Sequence, residues 1–123
     1  MTTTDHAAAQ LATMRRFHAA RTNPTDGNRA FAIELLSSNN KDARQQMLAA
    51  REAQDKAMAA YHTGRADALA VILVTLVEDG PQAAIDAAYT IATATAAAPA
   101  DSMRMHGAHN EAIMAAQNLT LYR

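Results

Sequence analysis

The chain contains no cysteine, which removes disulfides, thiolate zinc sites and cysteine nucleophiles together. Four glycines and three prolines leave few places for the chain to turn. Tryptophan is absent, and three tyrosines and two phenylalanines are the only aromatics, too few to stack along a nucleic acid strand. The net charge of −1 gives no global field that would attract nucleic acid or anionic lipid. The N-terminus, MTTTDHAAAQ, has neither the basic nor the apolar region of a signal peptide. The longest strongly apolar run, Ala68 to Val77, is about half a membrane span. These absences together point to a cytoplasmic protein.

What is present is alanine, about a quarter of the chain, and alanine is the strongest helix former. Its 123 residues are the size of one domain, and the composition implies an all-α fold. We expect a single compact bundle of about five helices with short loops.

The first helix is expected over 5–21, capped by Thr4 or Asp5. Ala7, Leu11, Met14 and His18 form its apolar stripe. TNPTDGN then breaks the chain. A short buried helix follows over 29–36 and ends at Ser37, Ser38, Asn39 and Asn40, with Asn40 as the N-cap of the next. Over 41–62, Ala43, Met47, Ala50, Gln54, Ala57 and Tyr61 alternate spacings of four and three, as in a coiled-coil seam. Thr63-Gly64 is expected to break or bend that helix, leaving open whether 41–79 is one helix or two. Residues 66–79 read as the central buried helix. Gly80-Pro81 closes it and opens another, with proline at the first helical turn, where its missing N–H costs nothing. That helix, 81–97, carries a stripe of Ile85, Ala88, Ala92 and Ala96. Ala98-Pro99-Ala100 breaks it. A last helix reaches about 118, with Ala108, Ala112, Ala115 and Leu119 as its stripe, before a short tail.

No glycine-rich phosphate loop, serine elbow or Glu-x-x-His pair occurs. The sequence therefore names no catalytic residue and no cofactor. The reading is a non-enzymatic protein acting through protein–protein contacts: a homo-oligomer, or an adaptor or inhibitor docked on a larger protein. Alanine stripes bury little area per contact, and packing across a subunit interface would remedy that. Met47, Gln54, Met58 and Tyr61 are the expected interaction face.

Two alternatives come from other residues. Arg15, Arg16, Arg21 and Arg29 could meet a nucleic acid backbone if folding brought them together. The first three point in different directions around one helix and form no stripe. Met105, His106 and His109 could hold a soft metal such as copper(I), the two imidazoles lying about 60° apart on a helix. Two histidines fall short of the usual three or four ligands, and Met103 and Met114 point elsewhere. His18, within an apolar stripe, is a further titratable group. The bias to arginine over lysine suits a GC-rich genome. Cysteine-free helical chains of this length are common among bacterial and phage accessory proteins, inhibitors of host machinery among them.

Overall fold

A computed structural model describes residues 26–122, with side chains from 28 to 121. The helix expected over 5–21, with Arg15, Arg16, His18 and Arg21, lies outside the described residues. Four helices pack together: α1 (Asp26–Glu52), α2 (Lys56–Asp79), α3 (Pro81–Thr95) and α4 (Met103–Tyr122). There is no strand among the described residues. The architecture is the expected all-α bundle, with four helices in view where the sequence suggested about five.

The run Ser37 to Asn40 does not end a helix. It holds no glycine or proline, and a buried stripe runs on either side of it through Ala32, Leu36 and Ala43. Ser37 and Ser38 simply face solvent. Asn40 is not a cap: its amide donates across to the Ala66 carbonyl of α2 at 2.8 Å.

The real break comes at Ala53-Gln54-Asp55, where the sequence carries no glycine or proline. Asp55 N–H donates to Ala50 O at 2.9 Å and Gln54 N–H to Arg51 O at 3.0 Å. These are the two bonds of a Schellman cap. Gln54 takes the left-handed position, with φ 59°, that glycine usually fills. Asp55 then caps α2, its carboxylate accepting from the Met58 N–H at 3.1 Å. α2 therefore runs unbroken through Thr63-Gly64.

α2 touches the three other helices and packs most extensively on α4 and α1. Leu69, Ile72 and Leu76 of α2 are fully buried, with Leu36 of α1 and Leu119 of α4. Alanines fill the space between them: Ala84 and Ala88 of α3, and Ala112, Ala115 and Ala116 of α4. Leu119 is thus core, and α4 continues past the expected tail boundary. Small side chains let helix axes approach closely, and the crossing of α2 and α4 takes this furthest. A methyl group on Gly64 would stand inside the van der Waals surface of the Arg104 carbonyl oxygen, and one on Gly107 inside that of Tyr61. Backbone lies directly on backbone there.

Arg29 ties the start of α1 to the end of α2. Its guanidinium donates to Leu76 O at 3.0 Å and Val77 O at 2.9 Å; Leu76 O also accepts from the Gly80 N–H at 3.1 Å, whereas the residue four beyond Val77 is Pro81, which has no N–H to donate.

Candidate functional site

The crossing of α1, α2 and α4 encloses a cluster of polar side chains. His62 and Glu111 are buried, and the Arg65 side chain is mostly so. Arg65 Nε donates to Glu111 Oε1 at 2.6 Å. Its Nη1 reaches His62 Nδ1 at 2.8 Å and Gln46 Oε1 at 3.3 Å. Gln46 donates in turn to Asp42 at 2.7 Å. Arginine cannot accept a hydrogen bond, so Nδ1 of His62 must be the acceptor, which places the imidazole proton on Nε2. His62 and Arg65 lie one helical turn apart on α2, and Glu111 sits opposite on α4. The sequence reading missed this cluster. The local signal was the His62–Arg65 spacing alone, since Glu111 is 46 residues from Arg65 along the chain.

Burial, and then the Arg65 charge, hold the His62 imidazole below its usual pKa; Asp42 of α1 and Glu111 of α4 pull the other way. Protonation would set two donors against each other. The unfolded chain thus takes up this proton more readily than the folded one. The stabilisation is complete above about pH 6.5, the ordinary histidine value, and is lost as pH falls through the depressed folded value. Thermal melts should show stability falling below about pH 6.5 more steeply in the native chain than in His62→Gln. Parallel pH profiles for the two would count against this role.

The expected interaction face is divided between elements. Met47 lies half-buried on α1, Gln54 occupies the turn, and Met58 and Tyr61 begin α2. Met58 is exposed, whereas Tyr61 accepts a hydrogen bond from Asn110 of α4 at 2.9 Å. An open hollow at this turn is lined by Arg51, Gln54, Asp55, Lys56 and Ala59. The spacing that suggested one seam across 41–62 therefore spans two helices, because the chain reverses at Gln54.

Arg29 is engaged with the α2 carbonyls, as above. His106 donates from Nε2 to Pro99 O at 3.0 Å, in the loop before its own helix. His109 donates from Nδ1 to Ala92 O of α3 at 3.0 Å. The two rings are thus anchored on different elements, with Met105 half-buried near them in sequence. Among the described residues, no three His, Cys, Asp or Glu side chains are grouped as metal ligands would be.

Residues 66–79 were expected to form the central buried helix, and α2 is central to the bundle. Its outer side is nevertheless open: Val71, Val74 and Val77 are 53%, 54% and 51% exposed. No helix among the described residues is long and apolar enough to cross a membrane.

In comparisons with known proteins, no family model matches the chain, and neither do any curated protein or solved structure.

Proposed function

We propose that this chain is a small cytoplasmic, non-enzymatic protein that works by protein–protein interaction through its helix faces, as an adaptor or inhibitor on a larger protein or by self-association. The observation that carries the reading is the half-exposed valine row on α2, the helix that touches every other in the bundle. Aliphatic side chains exposed singly need no explanation, but a continuous row on one helix favours a contact that covers it. The alanine-filled core supports the same conclusion. Each small residue gains little on burial, so further apolar area removed from water adds usefully to a modest total.

Light scattering across micromolar concentrations tests this, on recombinant chain and on chain purified from its native host. The expected result is a mass above that of one chain, or a second protein retained in fixed ratio. A clean monomer that retains nothing from its host would overturn the reading.

A further inference from the structure

We infer that the outer face of α2 is a docking surface for a basic amphipathic helix of another protein. This rests on the interaction reading above and names its surface and the chemistry of its partner.

Val71, Val74 and Val77 recur every third residue, so they stay within a face about 120° wide. Ala70 shares that face and is exposed too. Valine is held to few rotamers on a helix, so these side chains lose little freedom when a partner covers them. The surface is preorganised for contact.

Its charge is one-sided. Asp67 stands at one end of the row and Glu78 and Asp79 at the other, all exposed. Arg104 pairs with Asp67, which leaves the anionic character concentrated at the C-terminal end. The helix dipole is negative at that same end. Arg29 already answers the terminal carbonyls there, which leaves the exposed carboxylates of Glu78 and Asp79 as the groups a partner's cations would meet. An aliphatic centre with an acidic end calls for a helix whose apolar stripe is flanked by lysine or arginine. A second copy of the same face fits poorly. A parallel copy sets Glu78 and Asp79 of one chain beside those of the other, which like-charge repulsion disfavours, and an antiparallel copy sets them beside Asp67, whose charge Arg104 already engages, so neither arrangement brings the acidic end a free cation.

The test uses the full chain and a fluorescein-labelled Leu/Lys amphipathic peptide of about 18 residues, with a Leu/Glu peptide of the same pattern as control. Anisotropy should show saturable binding of the Leu/Lys peptide and none of the Leu/Glu peptide. Val74→Asp should weaken binding about tenfold or more. That variant adds negative charge, so simple electrostatic attraction would instead grow stronger. Glu78→Gln with Asp79→Asn should weaken binding several-fold and flatten its salt dependence. Circular dichroism confirms that the variants stay folded, as substitutions of exposed residues should.

No binding, equal binding by Val74→Asp, or equal binding of the Leu/Glu peptide would each overturn the proposal. So would a dimer that Val74→Asp splits, which would make a second copy the occupant. Binding seen only when Arg15, Arg16 and Arg21 are all changed to Glu would assign the face to the chain's own N-terminal segment, and the proposal would fall. If the Leu/Lys peptide does not bind while the native chain still forms an oligomer or retains a host partner, the interaction reading stands and only this surface is lost.

Discussion

Gly64→Ala lowers the melting temperature by roughly 10 °C, although alanine is the better helix former. At an open position in the middle of a helix, replacing glycine by alanine stabilises by about 1 kcal/mol. At Gly64 the added methyl meets the Arg104 carbonyl oxygen, and the Ala108 nitrogen lies 3.1 Å away. Both are backbone atoms of α4, so no side chain can swing aside. α4 must move as a body, and it carries Ala112, Ala115 and Leu119 out of their places in the core. Overpacking a well-filled interior costs about 1–3 kcal/mol, and more where nothing yields; the upper end applies here. Gly107→Ala should cost a similar amount, because its methyl meets the Tyr61 carbonyl oxygen. The double variant should cost less than the sum, since one displacement relieves both clashes. Ser38→Ala, at an exposed position inside α1, is the control and should leave stability unchanged or slightly raised. Urea and thermal denaturation read all four. A melting temperature for Gly64→Ala at or above that of the native chain would mean that α2 and α4 do not cross at these glycines.

The second large effect belongs to the buried ion pair. Arg65→Ala should destabilise by about 3–5 kcal/mol, a large fraction of the total stability of a chain this size. The loss is chiefly a penalty on what remains. Glu111 is 5% exposed and would be left without the cation that neutralises it, while His62 and Gln46 would lose their donor. Glu111→Ala should cost a comparable amount through a stranded Arg65. Arg65→Met combined with Glu111→Leu should recover most of the loss, because removing both charges abolishes the desolvation penalty along with the attraction. If the double variant is as unstable as the singles combined, the pair itself contributes net stability and the penalty argument is wrong. We assign this cluster a role in registry: Arg65 reaches groups on α1, α2 and α4, and no neighbouring register would serve all of them.

These predictions fall where the sequence was least legible. Gly64 read as a break because glycine is judged by its cost to a single helix, and the same rule counts Gly107 as a weakness in α4. Their use is a close approach between helices 43 residues apart, which no local rule registers. The reversal at Gln54 was hidden for a related reason. A glutamine pays a penalty for the left-handed conformation, and the Asp55 cap and the packing of α1 on α2 offset it. Conversely, Ser37 to Asn40 looked like a terminus by composition, yet the stripe through Leu36 and Ala43 carries the helix across.

Helical class, the Gly80-Pro81 junction and the buried stripes of Ala112, Ala115 and Leu119 in α4 and of Ile85 and Ala88 in α3 could all be read from the sequence alone. Each depends on residues within one or two turns of each other: propensity, capping and period. Only the tertiary structure decided where α2 meets α4, which arginine finds Glu111, and which side of α2 is left open. Those depend on pairing between distant segments, where the free energy comes from contacts that do not exist until the helices have packed.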